Sequence, residues 1–242
     1  MGFDLTHTPT LDVIESARAP WKAHSWAAVP LLAVEAKPNK TVRLLNPAAS
    51  SRSPGTVRNA SEADVKAALD NAAVWDAPLE HRQEVLVLAA DMLESHYGEI
   101  FALLAREAGK GLPDCVAELR EAVDFLRYYA CQATNTPPAG CFTCISPWNF
   151  PLAIFCGQVS AALAAGNAVL AKPAEQTPLI AFLATSLLHE AGVPRAVLQL
   201  LPGGGDVGAA LVSDPRINGV AFTGSTGTAL RIRQTMAKHC TP

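Results

Sequence analysis

The sequence predicts an α/β fold, a doubly wound parallel sheet flanked by helices and preceded by an N-terminal helical segment. Three observations predict it. The stretch 141–172 reads as strand, tight turn, helix and strand; a helix joining two short apolar strands is a βαβ unit, whose strands lie parallel. Apolar runs at 197–201 and 218–222 then alternate with further helical segments, and such alternation builds a parallel sheet. Four helical segments fill 61–130 ahead of the first of these strands, as a cover packed on the sheet. The 242 residues give room for one large domain or two small ones.

Taken in order, residues 1–60 are poor in helical period and rich in Pro, Ser and Ala. A loosely packed lead-in is expected there, its ends the least ordered part. Within it Thr41-Val-Arg-Leu-Leu45 suits a strand ended by Asn46-Pro47, and 50–55 a loop. Ser61 is an N-cap with Asp64 three residues on, close to a capping box, and opens a helix to about 75. Pro78 begins a second, with Val85, Leu86, Leu88, Ala89, Met92 and Leu93 as its apolar stripe; Gly98 ends it. A third spans 99–108 and stops at Gly109-Lys110-Gly111. Pro113 starts a fourth, reaching 129. The expected divisions are a lead-in over 1–60, a helical cover over 61–130 and a βαβ core over 141–242.

The core opens with the strand Cys141-Phe-Thr-Cys-Ile145. Pro151 suits the first position of a helix, where a missing N–H costs nothing, and the apolar run 152–165 continues it. Gly166 and Asn167 both tolerate the left-handed conformation that closes a helix, and 168–171 is a second buried strand. Thr177 caps a helix begun by Pro178 and stopped by Gly192. A strand at 197–201 leads through a Gly-rich loop into a short helix over 207–212. After the strand 218–222, Gly224-Ser225 open a last helix to about 238.

The chain is 50% hydrophobic and 17% charged, with a formal net charge of −3 and no basic run. That balance supports a sizeable core and argues against nucleic-acid binding. No apolar run reaches membrane-spanning length, and the N-terminus lacks the basic-then-apolar order of a secretory signal, so a cytoplasmic location is expected. The six cysteines, 115, 131, 141, 144, 156 and 240, fit buried, reduced thiols. Cys141 and Cys144 sit three apart on a strand and so point to opposite faces. No second pair completes a four-ligand set, and no metal is expected. Gly109-Lys110-Gly111 lacks the spacing of a phosphate loop.

Polar residues gather at the carboxyl ends of the first two core strands: Ser146, Trp148 and Asn149, then Lys172, Glu175 and Gln176. In open α/β sheets ligands bind beyond those ends. Gly203-x-Gly205-x-x-Gly208 matches the dinucleotide fingerprint, after a strand and before a helix. The acidic residue that usually holds the ribose about twenty positions on does not occur, because no Asp or Glu follows Pro215. Ile145-Ser-Pro-Trp-Asn-Phe-Pro151, Lys172-Pro-Ala-Glu175 and Phe222-Thr-Gly-Ser225, in that order and spacing, resemble the NAD(P)-dependent aldehyde dehydrogenase superfamily, over about 61–238. The wording of 120–130, 145–155 and 166–190 looks like the glutamate-semialdehyde (pyrroline-5-carboxylate) dehydrogenase part of the bifunctional proline utilisation flavoproteins. Gly2-Phe3-Asp4-Leu5 resembles the linker that precedes it. Another Rossmann oxidoreductase class is disfavoured: Tyr97, Tyr128 and Tyr129 are followed four on by Phe101, Gln132 and Ala133, so no Tyr-x-x-x-Lys occurs.

The resemblance implies a Rossmann-type sheet that binds NAD. Lys172 and Glu175 would hold the adenosine ribose hydroxyls, and Glu175 would repel a 2′-phosphate, favouring NAD over NADP. Gly205 and Gly208 would line the adenine side, where a Cβ blocks close approach. Ser225 and the first N–H groups of the last helix would take a phosphate. Ile145, Ser146, Pro147, Trp148, Ala174, Phe222, Thr223, Gly224 and Thr228 complete the cofactor-binding set, with Trp148 packing rather than reacting. Asn149 would supply an oxyanion-hole amide.

The family role is NAD-dependent oxidation of a small aldehyde to its acid, here L-glutamate γ-semialdehyde to L-glutamate in proline catabolism. Neither the Cys segment nor the Glu segment of the family is recognisable: Gly157-Gln158 precedes Val-Ser, and Cys240 follows Lys238-His239. A truncated chain, inactive alone, is therefore expected, with Cys240 the one rescue thiol, its pKa lowered by Lys238 and His239. The alternative is a non-catalytic nucleotide-binding or interaction module. Three departures from relatives bear on this. The link 129–141 is shorter and cuts into the arm used for oligomerisation, the 203–208 loop is about one residue short, and Gly227 stands where a Glu is usual.

Overall fold

The computed structural model describes residues 2–238, so His239 and Cys240 lie outside the described residues. The lead-in is folded rather than loose. Helix α1 (Thr8–Arg18) is followed by strands β1 (Trp26–Ala28), β2 (Thr41–Arg43) and β3 (Gly55–Arg58). These make a small sheet in the order β1-β3-β2, with β1 parallel and β2 antiparallel to β3. Ile14, Trp26, Ala28, Leu31, Leu32 and Val57 are buried. The expectation of loose packing failed because these segments are held by tertiary contacts: Ile14 is the single buried residue of α1, too faint a stripe to read. Arg106 draws the lead-in together, donating to the Trp21 carbonyl (3.0 Å) and the Ser53 carbonyl (3.1 Å) with its guanidinium 4.9 Å from the Trp26 ring centre.

Helices α2 (Glu62–Asp70), α3 (Leu79–Ser95), α4 (Tyr97–Glu107) and α5 (Leu112–Gln132) follow. Ser61 and Asp64 form a full capping box: Asp64 N donates to Ser61 Oγ (3.2 Å) and Ser61 N to Asp64 Oδ2 (2.9 Å). The helix ends at Asp70, earlier than expected, where Asn71 Nδ2 donates back to the Ala67 carbonyl (2.8 Å). On α3, Val85, Leu86, Ala89 and Leu93 are buried, but Leu88 is 49% exposed. Gly98 lies inside α4 instead of ending α3. A Cβ there would sit 2.5 Å from the Ala17 carbonyl oxygen, so glycine is what lets α1 and α4 touch.

The core elements are β4 (Cys141–Ile145), α6 (Ala153–Ala164), β5 (Ala168–Lys172), α7 (Pro178–Ala191), β6 (Leu198–Leu200), α8 (Gly205–Ser213), β7 (Ile217–Phe222) and α9 (Thr226–Met236). The sheet order is β6-β5-β4-β7, every pair parallel, as the alternation predicts. Side chains alternate across it: Val169 and Ala171 join the core under α3 to α7, whereas Leu170 joins Val65, Leu69, Val207 and Leu211 under α2 and α8. Cys144 packs in the first cluster and Cys141 against the second, so the two thiols do face apart. Leu31 forms a bridge to Leu200 (N to O 3.0 and 2.9 Å) and covers the β6 edge.

Two helix starts depart from the sequence reading. Pro151 precedes α6 by one turn residue, and α6 begins at Ala153. Thr177 makes no side-chain cap on α7. Buried carboxylates from the helical cover do this work: Glu118 Oε2 accepts from Leu152 N (3.3 Å) and Ala153 N (2.8 Å), and Glu107 accepts from Leu179 N (2.7 Å) and Ile180 N (3.0 Å). Burial raises the Glu107 carboxyl to about 8 against those two hydrogen bonds. Glu118 is raised by burial too, opposed by Lys110, whose ammonium pairs with Glu118 Oε1 at 2.8 Å. Of the pair Gly166-Asn167, only Gly166 has a positive φ, +78°; Asn167 instead accepts from Gly140 N (3.0 Å) and donates to the Ala162 carbonyl (3.2 Å).

Candidate functional site

From β4 the chain winds through α6 to β5 and through α7 to β6, then returns through α8 to β7 on the far side of β4. The winding reverses between β4 and β7, and a crevice opens beyond the carboxyl ends of strands at such a reversal. Ile145, Ser146, Pro147, Trp148, Asn149, Lys172, Ala174, Glu175, Gln176, Gly205, Phe222, Thr223, Gly224, Ser225 and Thr228 line one crevice of about 550 Å³. A pocket of about 280 Å³ between α8 and α9 adjoins it through Ile145, Lys172, Gly205 and Thr228 and adds Gly208 and Arg231. All fifteen residues singled out from the sequence thus lie in two connected hollows.

Lys172 is the most constrained of them. It is 7% exposed, and the one hydrogen bond of its side chain among the described residues runs from Nζ to the Pro173 carbonyl (2.9 Å). Burial lowers its pKa, while the negative charges of Glu175 and then Asp206 oppose the shift. Its stem lies along Gly208, where a Cβ would stand 3.2 Å from Lys172 Cδ. A Cβ on Gly205 would meet nothing within 4 Å and would project into open space. Glu175 is exposed and accepts from Gln176 Nε2 at 3.5 Å. Ser146 is 4% exposed and its Oγ has no partner among the described residues, an orphaned hydroxyl at the crevice wall.

On the other bank Ser225 caps α9, its Oγ accepting from Thr228 N (3.3 Å) and lying 2.9 Å from Thr228 Oγ1. Asn149 is exposed, with no hydrogen bond to its amide among the described residues, so its donors are available. The sequence reading that Trp148 packs is not met: it is 58% exposed, because the turn after Pro147 carries it off the sheet. Phe150 is held by the Lys110 ammonium, 4.4 Å from its ring centre.

Sequence reasoning passed over Gln158, Asp206 and Arg231. Gln158 lies behind Thr223: with its amide oxygen turned toward that residue it accepts from Thr223 N (3.2 Å) and Oγ1 (3.1 Å), and its nitrogen donates to the Ile145 carbonyl (3.3 Å). It thereby ties the ends of β4 and β7 together. Its signal was a long polar side chain in the otherwise apolar run of α6, where the only other polar residue is the small Ser160.

The thiols are poorly suited to attack. Burial raises Cys115 and Cys144 to about 12 and Cys141 to about 11, and raises Cys156 as well. Cys131 is exposed, contrary to the expectation that the thiols are buried, because it ends the outer face of α5. Among the described residues, no group of three or more His, Cys, Asp or Glu side chains is placed to hold a metal ion.

A sequence model of the aldehyde dehydrogenase family matches residues 33–242. The chain belongs to that family. It is 47% identical over 253 residues to the Bifunctional protein PutA of Klebsiella aerogenes, covering 100% of this chain and 19% of that protein. It is 37% identical over 218 residues to the 1-pyrroline-5-carboxylate dehydrogenase of Anoxybacillus flavithermus, covering 80% of this chain and 42% of that protein. Among solved structures, a 1-pyrroline-5-carboxylate dehydrogenase from Thermus with bound NAD superposes with a TM-score of 0.88 at 32% identity, over 97% of this chain and 51% of that one. The chain thus spans between about a fifth and about half of the length of these relatives.

Proposed function

We propose that this chain is the cofactor-binding part of an NAD-dependent aldehyde dehydrogenase that oxidises L-glutamate γ-semialdehyde to L-glutamate. The observation that carries the reading is the convergence of Lys172, Glu175, Asn149 and the Ser225 end of α9 on one crevice at the winding reversal. The names of the PutA and 1-pyrroline-5-carboxylate dehydrogenase relatives support the substrate, and the NAD-bound relative supports the cofactor.

The residues present fit a dinucleotide. Gly205 and Gly208 leave the space that an adenosine needs, and the uncommitted N–H groups of Lys172 suit ribose oxygens. The carboxylate of Glu175 accepts from ribose hydroxyls and opposes a 2′-phosphate. The N-terminus of α9 suits a pyrophosphate oxygen, and the Ser146 hydroxyl has hydrogen-bonding capacity free. NAD held by these residues would supply the hydride acceptor. Asn149 donates to the oxygen that becomes negative when a thiolate adds to the aldehyde, a role in which one lost amide donor typically costs about 10²–10³ in rate.

The described thiols do not supply that thiolate, and this chain by itself is expected to bind NAD weakly and to oxidise nothing. Calorimetric titration of NAD and NADP into the wild type and Glu175→Gln tests the binding role, with NAD tighter in the wild type and the margin reduced in the variant. Tighter NADP than NAD in the wild type overturns the role given to Glu175. NADH formation from glutamate semialdehyde by this chain, abolished by Cys240→Ala, would show that it carries its own nucleophile.

A further inference from the structure

We propose that Asp206 is a second determinant of cofactor choice, acting beside Glu175 to turn away a 2′-phosphate. The inference rests on the reading of the crevice as a dinucleotide site. Asp206 lies in the first turn of α8, on the loop that faces the end of β5. A Cβ built on Gly204 would stand 2.9 Å from Asp206 Oδ1 and 3.1 Å from Glu175 Oε2, so both carboxylates lie close to the same point beside Gly204. Both are exposed, and the charges of both act on Lys172.

Two carboxylates face one ammonium there. Ribose hydroxyls are neutral donors and satisfy either carboxylate. A phosphate monoester carries close to two negative charges near neutral pH, and in that position it meets both. The lysine charge offsets one carboxylate; Arg231, which lines the adjoining pocket, is the other cation available. Removing Glu175 alone therefore leaves a repelling group in place, and cofactor choice should move in two steps. The burial-driven lowering of the Lys172 pKa, opposed by Glu175 and by Asp206 in that order, is consistent with both carboxylates acting on the same space.

The test measures NAD and NADP dissociation constants for the wild type, Glu175→Gln, Asp206→Asn, Asp206→Ser and the double variant Glu175→Gln/Asp206→Asn, at low and at high salt. Asp206→Asn and Asp206→Ser are each expected to tighten NADP by roughly three- to tenfold, the scale of a partly screened charge interaction. NAD affinity should move by less than about twofold, the effects of the two positions should multiply, and the gain should shrink at high salt. Serine keeps a polar group in the first turn of α8, which separates charge from helix capping. Unchanged NADP affinity in both Asp206 variants, or equal changes for both cofactors, would overturn the proposal while leaving the dinucleotide reading intact. Binding of neither cofactor by any of these proteins would instead overturn the dinucleotide reading, and this inference with it.

Discussion

Lys172 sits where its own charge is disfavoured, and the residues around it explain how much of the site could be read in advance. The motif Lys172-Pro-Ala-Glu175 is local, so its two charged side chains were legible as a pair at a strand end. Asp206 and Gln158 were not, because their significance comes from placement across the fold: Asp206 and Glu175 both lie beside Gly204, and Gln158 on α6 reaches Thr223 at the end of β7. The thiols show the same division. Apolar context marked Cys115, Cys144 and Cys156 as buried, but it could not mark Cys131 as exposed at the end of α5. Among the described thiols, alkylation at neutral pH followed by mass spectrometry should label Cys131 first, with Cys115, Cys144 and Cys156 modified only on unfolding, since the thiolate is the reactive species. Rapid native labelling of Cys144 would contradict the burial described here.

At the scale of elements, the strands and their parallel pairing were legible because β4 and β5 are short apolar runs around a helix, and short-range pattern is enough to read them. Helix starts were less so. The sequence offers Thr177 and Pro151 as local caps, but the N–H groups of α7 and α6 are met by Glu107 and Glu118, over 70 and over 30 residues away respectively. A distant cap leaves no trace at the helix it serves. Glu107 also makes a pH prediction. Its folded pKa is raised to about 8, above the unfolded carboxylate range, so the folded state binds the proton more tightly. Its contribution to stability is present below the unfolded pKa and is lost as pH rises toward 8, at no more than about 1.4 kcal/mol per pH unit. Denaturant titrations of wild type and Glu107→Gln between pH 5 and 8 should show the wild type losing stability relative to the variant as pH rises. A constant difference would mean that the folded Glu107 carboxyl holds its proton no more tightly than the unfolded one.

For the molecule as a whole, the lead-in is part of the fold. Ile14, Trp26, Leu31, Leu32 and Val57 are each 8% exposed or less, and Leu31 occupies the edge of β6. Burying one large apolar side chain contributes about 1.5–3 kcal/mol, so several together approach the entire net stability of a domain, about 5–15 kcal/mol. A chain beginning at Ser61 should therefore lose cooperative thermal unfolding or aggregate through the uncovered β6 edge, as followed by calorimetry and light scattering. A shortened chain melting within about 2 °C of the full one, no more than the shift expected for about 1 kcal/mol in a chain of this size, would return the lead-in to the loosely packed role.

The two buried glutamates also give the crevice a polarity. Helices α6, α7, α8 and α9 each follow a core strand, and each helix start carries roughly half a positive charge. Glu118 and Glu107 accept from the first N–H groups of α6 and α7 from inside the protein, and α8 holds Asp206 in its own first turn. Helix α9 has no acidic residue in its first turn, and among the described residues no carboxyl oxygen accepts from its first N–H groups. An elongated anion entering the crevice therefore meets a gradient along the sheet edge instead of a uniform attraction. Its negative centre is drawn toward Ser225, and which end of the solute comes to lie beside Asn149 is biased by side chains that never touch it.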